Sequence, residues 1–243
     1  FDEFGFPLNF FVITGLLDEQ LWPWDDQIAH AVNHTKISAI DLQLPFGGKY
    51  SVNLAEISVR RTIREIRNAL KVVNQEHIYQ WLGAELYPKL EVDFPDTIPR
   101  EYRPMSWDDA RSLKKRGHGV YPHTCSHRIL STLTLEEKQH EIHEARKRVE
   151  QELADCPDVF AYPTGRPSDY DRADIEEVKR AGFKMAFNTV PDYIRAGCSQ
   201  YELPRFSLPE NTADFLQIVN RFEALKEKVP RQPNLSRSFL PTR

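Results

Sequence analysis

The chain has 243 residues, enough for one large α/β domain or two small ones. A hydrophobic fraction of 40% and a charged fraction of 28% are those of an ordinary globular protein, and a net charge of −4 offers no footprint for nucleic acid or an anionic membrane. No apolar run reaches membrane-spanning length; the longest is interrupted by Asn9, Thr14 and Gly15. The cysteines, Cys125, Cys156 and Cys198, are odd in number and widely spaced, which argues against a disulfide framework and favours a reducing, cytoplasmic setting. The chain opens with Phe1 rather than Met, so the lack of a visible signal peptide carries no weight.

Residues 1–4 read as the end of a helix, stopped by Gly5 and Pro7. The run 8–14 is apolar and β-rich, the mark of a buried parallel strand. Gly15 and Asp18 turn the chain. Trp22-Pro23-Trp24-Asp25-Asp26 leads into a helix to about residue 33, with Ile28, Ala29 and Val32 inward. The two tryptophans pack in the core or line a sugar groove. Residues 36–54 read as a hairpin turning at Gly47-Gly48. A helical pattern follows, with Ile57, Ile63, Ile66, Leu70 and Val73 on one face and Arg60, Arg61, Arg64, Glu65 and Arg67 on the other. That charged face reads as solvated, with contact to an acidic glycan as the alternative. Residues 78–104, broken by Pro88, Pro95, Pro99 and Pro104, read as a short helix and an irregular connection.

Ser106 caps a helix that carries Trp107, Ala110 and Leu113 inward and Lys114-Lys115-Arg116 at its carboxyl end, where the dipole favours cations. Gly117 ends it, and a strand at 119–122 follows. Thr134-Leu135-Glu136-Glu137 is a capping box opening a helix to about residue 154. A strand at 159–163 runs into Thr164-Gly165-Arg166-Pro167. A helix over 172–181 stops at Gly182; 183–187 and 201–206 read as strands, 212–228 as a helix and 230–243 as a mobile tail. Strands alternating with helices argue a parallel sheet or barrel, whose functional residues lie at the carboxyl ends of strands. His123, Thr164, Asp192 and Arg205 all fall there.

His123 and His127 bound the segment His123-Thr124-Cys125-Ser126-His127. On a helical turn, residues four apart share a face, so the two rings can aim at one point. Two neutral imidazoles suit a divalent metal, zinc foremost, with cobalt, nickel or iron as alternatives. A third protein ligand must come from elsewhere. Cys125 beside a histidine is also a candidate nucleophile.

The segment resembles the H-[S/T]-x-x-H metal motif of the polysaccharide deacetylase family, the NodB-homology domain. Met105-Ser106-Trp107-Asp108-Asp109, Ile129-Leu130-Ser131, Phe160-Ala161-Tyr162-Pro163-Thr164-Gly165-Arg166-Pro167, Ala181-Gly182-Phe183 and Leu203-Pro204-Arg205 extend the resemblance over about residues 4–208. It implies an α/β fold, a distorted (β/α) barrel, over residues 1–218 with a hairpin and helical insertion at about 36–104. Residues 219–243 are left as a helix end and tail. It implies metal-dependent removal of N-acetyl groups from a glycan, with His123 and His127 as metal ligands and Thr124 bracing their loop. Its catalytic residues are Thr164, whose backbone N–H serves the oxyanion, and Arg205. Tyr162, Pro163, Gly165 and Arg166 form the substrate-binding groove.

Three departures from the family pattern stand out. The T-F-D-D-G motif, which supplies the base and third ligand, is missing, and the reading expects it upstream together with the first strand. Phe1-Asp2-Glu3 is a decoy, because it runs directly into the strand. Ala161 replaces the groove arginine, with Arg166 as the substitute, and Arg205 stands where a late histidine would act as general acid. The alternative to an enzyme is a non-catalytic glycan-binding or scaffold protein on the same fold.

Overall fold

The computed structural model describes residues 1–71 and 75–221. Val73, the expected helix beyond residue 221 and the tail at 230–243 lie outside the described residues. In chain order the elements are β1 (Asn9–Val12), α1 (Trp24–His34), the hairpin β2 (Ala39–Gln43) and β3 (Lys49–Asn53), α2 (Val59–Leu70), α3 (Glu76–Trp81), α4 (Trp107–Lys115), β4 (Gly119–Pro122), α5 (Leu135–Gln139), a π-helical turn (His140–Glu144), α6 (Ala145–Leu153), β5 (Val159–Ala161), α7 (Arg172–Arg180), β6 (Met185–Phe187) and α8 (Thr212–Val219).

The helix starts follow their caps. Ser106, Thr134 and Asp171 each close a capping box with the acid three residues on, so two N-terminal N–H groups are satisfied reciprocally. The hairpin turns at Gly47 and Gly48, with φ of +92° and +90°, a region open to glycine without strain.

β1 pairs parallel with β4, from Asn9 opposite Gly119 to Val12 opposite Pro122. β5 pairs parallel with β6, from Val159 opposite Met185 to Ala161 opposite Phe187. The expected strand at 201–206 reduces to a parallel bridge between Phe187 and Leu203; Pro204, with no N–H, cannot extend the ladder. Phe11 of β1 meets Tyr121 of β4 and Phe187 of β6 at ring-centroid distances of 5.9 and 6.1 Å, so inward residues converge from both strand pairs. The fold is α/β of the (β/α) barrel type.

Three apolar clusters hold it. Val12, Trp107, Ala110, Val120 and Val149 join β1 and β4 to α4 and α6. Leu130, Ile142, Phe160, Tyr162, Val178 and Phe183 pack α7 against β5. Trp24, Ile28, Ile40, Leu42, Ile66, Leu70 and Ile78 join α1 to the hairpin, α2 and α3. Each fully buried aliphatic or aromatic side chain contributes about 1.5–3 kcal/mol relative to an exposed one. No helix of the described residues is long and apolar enough to cross a membrane.

Candidate functional site

His123 leaves β4 at its carboxyl end, where its N–H donates to Val12 O at 2.8 Å. The segment that follows is not the helical turn read from the sequence. Thr124 and His127 take left-handed backbone, φ +65° and +59°, and the loop folds the two rings to a centroid distance of 5.0 Å. Buried Thr124 accepts from the His127 N–H through Oγ1 at 3.0 Å, and its carbonyl accepts from Thr14 N at 3.2 Å. Gly15 N donates to Cys125 O at 2.9 Å, and a Cβ on Gly15 would stand 2.6 Å from that oxygen.

A buried carboxylate closes the loop from the other side. Glu141 accepts the N–H groups of Cys125 and Ser126 on Oε2, both at 2.9 Å, and the Ser126 hydroxyl on Oε1. Glu141 lies in the π-helical turn, whose extra residue turns this side chain inward beside Ile142; such turns cluster at functional sites.

His123 Nδ1 lies 2.7 Å from Ala161 O. A carbonyl only accepts, so Nδ1 carries the hydrogen and Nε2 keeps its lone pair. Burial first, then the His127 ring, push His123 down to about 3, against the pull of that carbonyl. Burial likewise lowers His127. Both rings are therefore neutral at pH 7, the form that ligates metal. Asp25, at the start of α1, places Oδ1 3.9 Å from His127 Nδ1. Arg67 of α2 holds the Asp25 backbone carbonyl through Nε and Nη2 at 3.0 and 2.5 Å, which anchors the start of α1 beside His127. Two neutral imidazoles and a carboxylate fit a borderline divalent ion with an open position. In the sequence Asp25 reads as part of a helix start, and its acid character in the first turn conceals the other use.

The loop after β5 is the second wall. Thr164, φ +54°, donates its hydroxyl to the Asp169 carboxylate, which also accepts Arg166 N at 3.0 Å and the Ser168 hydroxyl at 2.9 Å. The Thr164 N–H has no acceptor among the described residues. Pro163 and Gly165 are buried backbone of this turn, and Arg166 is exposed. Tyr162, expected in the groove, is fully buried, stacked on Tyr170 at 4.1 Å with its hydroxyl donating to Tyr201 O at 3.0 Å. It follows the fully buried β5 and packs with Phe160 in the same core cluster. Arg205 reaches in over the Phe11 ring at 5.7 Å, and Phe11 in turn lies 6.5 Å from the His123 ring. Asp2, the decoy, pairs with His118 and Arg116 at 2.8 and 2.5 Å, at the opposite end of β4. The Cys125 thiol is pushed up to about 12 by burial and then by Glu141, which removes the thiolate a nucleophile needs.

Among the described residues, the trio of ligand atoms within 4.8 Å of one another is His30, His34 and Glu101; the His123, His127 and Asp25 set is more open. His34 lies nine residues beyond Asp25 on α1, about 14 Å at 1.5 Å per residue, away from the strand ends.

The profile of the polysaccharide deacetylase family matches residues 1–186. The chain belongs to the polysaccharide deacetylase family. No curated protein sequence matches it. Among solved structures, a Streptococcus pyogenes deacetylase, PplD, in complex with acetate, is similar at 20% identity and a TM-score of 0.45, over 49% of this chain and 52% of that one. IcaB from Ammonifex degensii is similar at 14% identity and a TM-score of 0.43, over 61% and 68%. BA3943, a CE4 family pseudoenzyme from Bacillus anthracis, is similar at 12% identity and a TM-score of 0.34, over 49% and 46%. This polysaccharide deacetylase chain thus spans about half the length of the first of these structures.

Proposed function

We propose that the chain removes N-acetyl groups from an amino sugar within a glycan, using a divalent metal, zinc foremost, held by His123, His127 and Asp25. The observation that carries this reading is the pairing of His123 and His127, 5.0 Å apart, with Nδ1 of the first committed to Ala161 and Asp25 facing the second. Bound there, a divalent ion supplies Lewis acidity, making a water nucleophilic near neutral pH and polarising the acetyl carbonyl. The Thr164 N–H donates to the oxyanion; one such donor is worth about 3–4 kcal/mol in the transition state. Arg205, over the Phe11 ring that meets His123, adds a positive charge to this end of the strands. Pro163 and Gly165 shape the turn that presents this N–H, and Arg166 reaches toward the glycan.

A second reading, a non-catalytic glycan-binding protein on the same fold, is favoured by Arg205, because a guanidinium cannot deliver a proton near neutral pH. Metal analysis and acetate release from chitohexaose decide between them. The first reading expects about one metal per chain, metal-dependent acetate release, and loss of both in His123→Ala and Asp25→Ala. Stoichiometric metal without acetate release moves the assignment to the second reading. Absence of metal binding by the unmodified chain overturns the site.

A further inference from the structure

α2 carries Arg60, Arg64 and Arg67, and Lys71 follows as its helical C-cap, at intervals of four, three and four, so the four cations form one stripe. The stripe is not simply a solvated face. It lines a cleft of about 720 Å³, and Arg166 from the turn after β5 closes the cleft from the far side. Five positive side chains therefore surround one concave space. Arg60 is paired with Glu210, and Arg67 holds the Asp25 carbonyl and lies 3.9 Å from Asp26. Among the described residues no carboxylate forms an ion pair with Arg64, Lys71 or Arg166. Asp169, the nearest acid to Arg166 in sequence, is engaged by Thr164, Ser168 and the Arg166 backbone. Lys71 is half-buried, and burial first, then the charge of Arg166, depress its ammonium, against the partial pull of the Asp169 and Asp25 carboxylates. These carboxylates offset part of the charge, and the remaining like-charge repulsion falls when an anion enters.

The cleft adjoins the candidate centre at two points. Arg67 fixes the residue that faces His127, and Arg166 follows Thr164 by two residues, at most about 7 Å of chain. An anion in the cleft therefore belongs to the sugar carrying the N-acetyl group or to its neighbour. Guanidinium groups match carboxylate and phosphate oxygens bidentately. We propose that this cleft is an anionic subsite, which holds a carboxylate or phosphate group of the glycan beside the N-acetyl group. The proposal deepens the deacetylase reading and rests on it for the nature of the substrate.

The test is calorimetric binding of the full chain to three probes in 25 and 300 mM salt: a hyaluronan hexasaccharide, which carries carboxylates, neutral chitohexaose, and inorganic pyrophosphate. The acidic hexasaccharide is expected to bind at least about tenfold tighter than the neutral one in low salt. That advantage should shrink in high salt as screening rises. Arg64→Gln combined with Arg166→Gln should abolish it; both positions are exposed, so folding is not at stake. Pyrophosphate binding tighter than the hexasaccharide assigns the subsite to phosphate, and the reverse order to carboxylate. Equal affinity for the two hexasaccharides without pyrophosphate binding, or an advantage that survives the double substitution, overturns the subsite. Binding needs no turnover, so the two readings fail separately. Anion selectivity without acetate release from any probe leaves the subsite and removes the deacetylase. Acetate release from chitohexaose without anion selectivity does the opposite.

Discussion

Removing the Glu141 carboxylate tests whether the histidine loop is held in place from behind. Glu141 is 3% exposed and accepts two N–H groups at 2.9 Å and one hydroxyl from a two-residue stretch. Hydrogen bonds to a charged group contribute about 1.5–3 kcal/mol each. The three share one acceptor and are not additive, and water entering an alanine cavity recovers part of the loss. The net cost of Glu141→Ala is then about 3–5 kcal/mol. For a chain of this size each kcal/mol shifts the melting temperature by about 2–4 °C, so the drop is on the order of 6–20 °C. Glu141→Gln keeps one acceptor but turns an N–H donor toward donors, and should fall between the two. Because the same bonds aim His127, metal affinity should weaken by about 10–100-fold, the usual cost of losing an outer-shell partner. Thermal unfolding by circular dichroism and a zinc titration read both effects. An alanine variant that melts within about 2 °C of the parent and keeps its zinc affinity would falsify the clamp.

Gly15→Ala places a Cβ 2.6 Å from the Cys125 carbonyl, a backbone atom that cannot swing aside. The variant should lose about 1–3 kcal/mol, as overpacked sites do, and bind zinc more weakly; unchanged unfolding and zinc titrations would show that the loop yields freely. Glu137 accepts the Thr134 N–H and pairs with Arg128 at 2.6 Å, and these, in that order, push its carboxyl down to about 2 from 4.5. A lowered folded value means the stabilisation is complete above pH 4.5 and is lost as pH falls toward 2. At 1.36 kcal/mol per unit the shift corresponds to about 3 kcal/mol, discounted for a partly solvated pair to about 1–2. Denaturant unfolding of Glu137→Gln against pH should run below the parent at neutrality and converge with it near pH 2. Curves that stay parallel would sink the assignment.

Most elements of the fold were legible because they announce themselves locally, the strand read at 201–206 being an exception. Ser106, Thr134 and Asp171 sit at capping boxes, Gly47-Gly48 at the hairpin turn, and 8–14 and 119–122 read as short apolar strands. The histidine pair was legible as a pair, but its geometry was not. A spacing of four suggests a helical turn, whereas the observed rings meet through left-handed Thr124 and His127, a conformation that β-branched threonine disfavours and no propensity predicts. Tyr162 departs from expectation for a related reason: a motif names neighbours in sequence, while packing on both sides of β5 buries every side chain from Val159 to Tyr162. Asp25 and Glu141 were hidden because their contacts, to His127 and to Cys125 and Ser126, span long sequence separations. An acid in the first turn of α1 and another in the middle of a charged helix both have ordinary explanations.

Three of the seven non-glycine residues with positive φ among the described residues stand at the same place. Thr124, His127 and Thr164 all take left-handed conformations, each at a cost of about 1–3 kcal/mol outside glycine. Such a cost persists only where surrounding contacts over-determine the chain. Here the contacts are specific: Thr14 and His127 N–H groups on Thr124, Glu141 behind Cys125 and Ser126, and Asp169 with Thr189 on Thr164. Two of the three strained residues follow β4 and the third follows β5, the strands joined by the His123 to Ala161 hydrogen bond. If the histidines were incidental surface residues, a relaxed turn at either strand end would serve the fold equally well. Strain at both ends, each with its own buried or part-buried carboxylate brace, is what a site requires when it must hold two imidazoles and one bare N–H in fixed relation.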